Sequence, residues 1–122
     1  MILIKLWIDD IRPAPEGYAH CYDIEQAIKV IRSQEEIADT AWQHYHCGRY
    51  TRQQLEWWLQ YAETTVISCD NDLGPGQAEG YKLLDWLEAT GRNIPIHIHT
   101  DNPVARERMR AIIERNNWKE IR

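Results

Sequence analysis

Two apolar runs in this chain stop on aspartate, and that coincidence constrains its fold more than any other feature. The first, Leu3-Ile4-Lys5-Leu6-Trp7-Ile8, is broken only by Lys5 and runs into Asp9-Asp10. The second, Thr65-Val66-Ile67-Ser68-Cys69, is rich in β-branched residues and runs into Asp70, with Asp72 two residues on. Near-continuous apolar runs of this length are the pattern of buried strands in a parallel sheet. A third main strand, Ile94 to His99, alternates Ile96 and Ile98 with His97 and His99 before Thr100.

Helical patterns separate these strands. After a loop containing Pro13, Pro15 and Gly17, Tyr18 to Tyr22 reads as a short second strand. Asp23 with Gln26 opens a helix whose stripe is Ile24, Ala27, Ile28 and Ile31, expected to end near Ser33. The pattern weakens from Gln34, and Thr51 with Gln54 opens another helix facing inward through Leu55, Trp58, Leu59 and Ala62. Residues 34–63 therefore read as a helical insertion. Gly80 to Glu88 forms a helix on Leu83, Leu84 and Leu87, with Gly91 as its stop. Asn102-Pro103 caps a last helix carrying Ala105, Met109, Ile112 and Ile113.

Strand alternating with helix predicts an α/β fold: one domain whose strands pair in parallel with helices on both faces of the sheet. At 122 residues with 43% apolar content the chain supports one core. Its net charge of −5 excludes a bulk electrostatic nucleic-acid surface, and the apolar start is too short to span a membrane. Three cysteines without CxxC spacing exclude a disulfide framework or zinc ribbon and fit a reducing cytoplasm. His44-Tyr45-His46-Cys47 lacks a second ligand pair, and Trp57, Trp58 and Tyr61 read as packing rather than base stacking.

Ligands of open parallel sheets sit beyond the carboxyl ends of the strands. Asp9, Asp10, Asp70, Asp72, His97, His99 and Thr100 all map to that edge. Carboxylates gathered there repel by about 4 kcal/mol per pair at 4 Å in an effective dielectric near 20, which a hard divalent cation, Mg²⁺ or Mn²⁺, relieves. His99 is the candidate acid or base, and the free N–H groups after Asn102 together with Arg106 make a phosphate cradle.

The strand endings Asp9-Asp10, Asp70 and Thr100 resemble the receiver domain of two-component signalling. That likeness implies a flavodoxin/receiver-like three-layer α-β-α domain over 1–122, with a short, mainly parallel sheet lacking a full fifth strand, a metal-binding acidic pair at Asp9 and Asp10, a phosphoacceptor at Asp70 and a switch hydroxyl at Thr100. The lysine of a receiver's fifth strand has no good counterpart, Lys119 being a poor one. More closely, Leu6-Trp7-Ile8-Asp9-Asp10-Ile11-Arg12-Pro13, Ile67-Ser68-Cys69-Asp70-Asn71-Asp72-Leu73-Gly74 and His97-Ile98-His99-Thr100-Asp101-Asn102-Pro103-Val104-Ala105-Arg106 resemble the cyclic-phosphate processing receiver domains. Asn71 departs from that pattern, which often has histidine there.

This resemblance implies metal-dependent hydrolysis of a cyclic phosphate ester, either a 2′,3′-cyclic phosphate RNA end or a cyclic nucleotide. Asp9, Asp10 and Asp70 would hold the metal, His99, Asp70 and Asp72 would act in catalysis, and Arg12, Thr100, Asn102 and Arg106 would hold phosphate. The expected partner is a phosphate-bearing small molecule or RNA end, with room for a protein partner and none for a membrane. The rivals are a receiver accepting a phosphoryl group and a phosphate-binding protein without turnover.

Overall fold

A computed structural model describes residues 4–122; Leu3, expected in the first strand, lies outside the described residues. Five strands, β1 (Ile4–Ile8), β2 (Tyr18–Cys21), β3 (Thr64–Cys69), β4 (Ile96–Ile98) and β5 (Glu120–Ile121), form one sheet in the order β2-β1-β3-β4-β5. All four pairings are parallel. The chain therefore has the α/β receiver-like order its sequence predicted. The fifth strand is present but only two residues long, pairing Glu120 with Ile96 and Ile121 with His97.

The helices are α1 (Ile24–His46), α2 (Arg52–Leu59), α3 (Tyr81–Ala89) and α4 (Pro103–Arg115). The Asp23 carboxylate caps α1 by accepting the Gln26 N–H, as predicted. The helix does not end near Ser33; it continues for 23 residues to His46. No glycine or proline lies between Ile24 and Cys47, and Gly48 at φ +82° supplies the left-handed stop. The stretch expected as an insertion is thus the second half of α1 folded against α2. Leu55 and Ala41 are buried in that hairpin, and the Thr51–Gln54 capping box starts α2 as expected. Packing explains Leu55 but not Trp57, which is 53% exposed.

One core cluster joins Leu6, Ile8, Ile67, Cys69 and Ile96 of the sheet to Ala27 and Ile31 of α1, Leu83, Leu84 and Leu87 of α3, and Met109, Ile112 and Ile113 of α4. Each fully buried aliphatic side chain there contributes about 1.5–3 kcal/mol. These sheet residues all lie on one face by register. Crossovers from β2 to β3, β3 to β4 and β4 to β5 all move in one direction, so right-handedness puts their helices on one side. Of the three layers expected from sequence, the sheet and one helical layer, to which α1, α3 and α4 contribute core residues, are formed among the described residues. The remaining layer corresponds to the β1–β2 connection, where Pro13, Pro15 and Gly17 make a loop instead of a helix. A row of rings closes the second face: Tyr18 is edge-on to Trp7, and Trp7 stacks on His99 at 3.9 Å.

Candidate functional site

Backbone hydrogen bonds carry the ladder one residue past the strands. Asp9 N–H donates to Cys21 O at 3.1 Å, Asp70 N–H to Ile8 O at 2.9 Å, and His99 N–H to Cys69 O at 3.1 Å. This aligns the two acid-terminated strands and the histidine-terminated one across the same sheet edge. Asp9, Asp70 and His99 each offer a ligand atom within 4.8 Å of the others, the one such group found among the described residues. A cavity of about 360 Å³ opens over them, lined by Asp9, Asp10, Ile11, Arg12, Asp70, Asp72 and Asp101.

The four acids differ in how fully they are satisfied. Asp9 is 1% exposed; its Oδ1 accepts the N–H groups of Ile11 and Arg12, both at 2.9 Å, and its Oδ2 faces His99 Nε2 at 3.0 Å. Burial raises the Asp9 pKa, but the Arg12 and Ile11 N–H groups and His99 outweigh it, so the carboxyl lies below its usual value. Asp70 lies above its usual value, because burial and the charge of Asp9 outweigh the Asn71 N–H donated at 2.8 Å and the Thr100 hydroxyl. Asp10 Oδ1 is buried with no hydrogen-bond partner, an arrangement that costs roughly 1–3 kcal/mol unless something else meets it. Asp72 is exposed at the cavity wall.

His99 is buried to 7% side-chain exposure, and burial holds its pKa below the ordinary imidazole value despite Asp9. Both ring nitrogens are engaged, Nε2 by Asp9 and Nδ1 by Ser68 Oγ at 2.8 Å. Thr100 is fully buried against Asp70. Arg12 reaches across the cavity mouth, donating to His99 O at 3.0 Å and pairing with Asp101. The predicted cradle residues are turned elsewhere: Asn102 caps α4 by accepting from Val104 and Ala105 N–H, and the Arg106 guanidinium folds back onto the Thr100 carbonyl. Neither lines the cavity. Arg108, one turn into the same helix, lies over Tyr81, 4.5 Å from the ring centroid.

Three residues that the sequence left without a role shape this edge. Ser68 bridges His97 and His99. Gly80 donates its N–H to Asn71 O at 2.7 Å and brings α3 against the Asp70 backbone, where a Cβ would sit 1.9 Å from Asp70 O. Gly74, at φ +101°, passes so near Asp10 that a Cβ would lie 3.1 Å from Oδ2. The available signal was the run of turn residues from Asn71 to Gly80; it announced a tight loop but not its partner.

The donors that cluster, carboxylate oxygens of Asp9 and Asp70 with an imidazole nitrogen of His99, suit a divalent cation; Asp10, whose Oδ1 is unpartnered, lines the same cavity, and burial together with the charge of Asp9 holds Asp70 above its usual pKa. A family model described as Cyclic-phosphate processing Receiver domain matches residues 39–115. No curated protein and no solved structure gives a significant match. Among the described residues, no helix is long and apolar enough to cross a membrane.

Proposed function

Because this chain belongs to the cyclic-phosphate processing receiver domains, we propose that it hydrolyses a cyclic phosphate ester, a 2′,3′-cyclic phosphate RNA end or a cyclic nucleotide, with a divalent cation at its acid-lined cavity. The observation that carries this reading is one cavity lined both by Asp10, whose buried Oδ1 has no partner, and by Asp70, whose ionised form is disfavoured by burial. Asp10 and Asp70 are the principal ligands for Mg²⁺ or Mn²⁺. Asp9 contributes through Oδ2, because its Oδ1 already takes two backbone donors. A bound divalent cation supplies polarisation of the phosphoryl oxygen and acidification of a water.

The protein's own groups do the rest. Arg12, anchored on His99 O at the cavity mouth, presents positive charge to phosphate oxygens. Asp72, exposed at the wall, accepts a proton from the water as its oxygen bonds to phosphorus, and returns that proton to the alkoxide released when the ring P–O bond breaks. Thr100 orients the Asp70 carboxylate. His99 was expected to exchange protons with the leaving alkoxide. With both nitrogens engaged inside the protein, it is assigned instead to orienting Asp9. Asn102 and Arg106 serve the start of α4 rather than the ligand.

Purified protein incubated with 2′,3′- and 3′,5′-cyclic nucleotides and Mn²⁺ or Mg²⁺ is expected to open at least one ring to the monoester, with EDTA or Asp70→Asn abolishing turnover. A panel left intact by the wild type refutes the reading. The Thr100 hydroxyl on Asp70 favours a second reading, a receiver phosphorylated on Asp70. A small phosphodonor that adds one phosphoryl mass to the wild type, and none to Asp70→Asn, supports that rival.

A further inference from the structure

Ser68 is fully buried, and its one hydroxyl stands between two imidazoles, 2.6 Å from His97 Nδ1 and 2.8 Å from His99 Nδ1. A serine hydroxyl donates one hydrogen bond, and each nitrogen of a neutral imidazole is either a donor or an acceptor. His99 Nε2 lies 3.0 Å from Asp9 Oδ2. An ionised carboxylate only accepts, so Nε2 carries the proton and Nδ1 of the neutral ring is a lone pair. Ser68 must therefore spend its single proton on His99. That leaves Ser68 an acceptor toward His97, whose Nδ1 must carry a proton.

Every bond in the series then has one direction: His97 Nδ1–H to Ser68 Oγ, Ser68 O–H to His99 Nδ1, and His99 Nε2–H to Asp9 Oδ2. The indole of Trp7 lies flat on the His99 ring, 3.9 Å between centroids and 4° between planes, which opposes a ring flip. At the far end, Asp9 Oδ1 is pinned by the two N–H groups of Ile11 and Arg12. Asp9 is thus held at both oxygens, and the orientation at Oδ2 is set from β3 rather than from β1, where Asp9 itself emerges.

We propose that Ser68, supported by His97, is a positioning residue that fixes His99 in its Nε2–H tautomer and so fixes the direction in which Asp9 faces the cavity. The consequence for a bound cation rests on the function proposed above; the tautomers themselves do not. Partners of this kind, one bond behind a ligand, typically alter metal affinity by about 10–100-fold when removed.

The test uses the full chain labelled with ¹⁵N-histidine, free of metal, at a pH of about 8 where unperturbed imidazoles are neutral. Long-range ¹H–¹⁵N correlations are expected to show a protonated Nε2 in His99 and a protonated Nδ1 in His97. In Ser68→Ala, His99 is expected to average between tautomers and Mn²⁺ affinity to fall about 10-fold, while Ser68→Thr keeps the single tautomer. A wild-type His99 protonated at Nδ1 overturns the proposal, as does Ser68→Ala with tautomers or Mn²⁺ affinity unchanged. Because the wild-type spectrum decides the direction of the series, failure of Ser68→Ala to fold does not shelter it. If the wild type shows these tautomers but binds no Mn²⁺, the cation reading of the proposed function falls, while the role of Ser68 in fixing the His99 tautomer and the Asp9 carboxylate stands.

Discussion

Gly80→Ala is the substitution whose consequence follows most directly from geometry. Gly80 sits at φ −57° and ψ −31°, a right-handed helical conformation that alanine adopts without strain. Local preference alone would make the change neutral or stabilising by about 0.4–1 kcal/mol. The surroundings reverse that sign. An alanine Cβ would stand 1.9 Å from Asp70 O, 2.9 Å from Asp70 C and 3.0 Å from Asn71 Cα, all backbone atoms that cannot rotate away. Restoring ordinary contact at 3.4 Å requires the start of α3 and the end of β3 to part by about 1.5 Å. Overpacking of this kind costs roughly 1–3 kcal/mol, and the Gly80 N–H to Asn71 O bond at 2.7 Å, worth about 1 kcal/mol net, is lost as well. The total is about 2–4 kcal/mol, or a fall in Tm of roughly 10 °C for a chain of this length. Urea denaturation of wild type, Gly80→Ala and Gly76→Ala measures it. Nothing lies within 4 Å of a Cβ at Gly76, where only the φ of +76° opposes alanine, so that control is expected to lose about 1 kcal/mol. Gly80→Ala within about 0.5 kcal/mol of wild type would refute the close approach of α3 to the Asp70 backbone.

Other consequences concern charge and packing. Asp70→Asn is expected to raise the metal-free Tm at neutral pH: a carboxyl whose folded pKa is raised contributes stability below its unfolded value near 3.8 and loses it as pH rises through the folded one. Asp9 has the opposite sign, contributing stability above 3.8 that is lost as pH falls through its lowered folded pKa, so Asp9→Asn is expected to lower the neutral-pH Tm in the same scan. His99, its pKa lowered by burial, contributes stability above the unfolded value of 6.5 that is lost as pH falls toward the folded value; thermal melts of His99→Gln are expected to lack that acid limb. Leu55→Ala, which empties the interface of α1 and α2, is expected to cost about 2–5 kcal/mol locally, and hydrogen exchange should show deprotection of 34–59 ahead of the sheet.

The parallel sheet, the order of its elements and the placing of Asp9, Asp10 and Asp70 around one cavity at its edge were legible because each depends on a local signal: apolar runs that end on acid, Asp23 and Asn102 at helix caps, Gly91 at a helix stop. Three features were not. The length of α1 was hidden because its outer half packs on α2 through few apolar side chains, leaving the stripe thin after Ile31. The one-sided layering depends on the handedness of connections and on what the β1–β2 loop does not build, which periodicity does not report. Most instructive is the phosphate side. Asn102 and Arg106 carried the right chemistry at a helix start, yet the side chains satisfy that helix and the Thr100 carbonyl themselves. Ser68, an unremarkable strand residue in sequence, acquires its partners only when β3 and β4 pair in the register that sets it opposite His97.

Every catalytic role proposed for the acid-lined edge depends on its holding a divalent cation. Electron paramagnetic resonance of free Mn²⁺, titrated against wild type and Asp70→Asn, measures it without reference to any substrate. The wild type is expected to show one saturable Mn²⁺ site, displaced by excess Mg²⁺ and lost or severely weakened in Asp70→Asn. A wild type that leaves the Mn²⁺ signal unchanged, or an Asp70→Asn protein that binds the ion as tightly as wild type, would contradict that expectation.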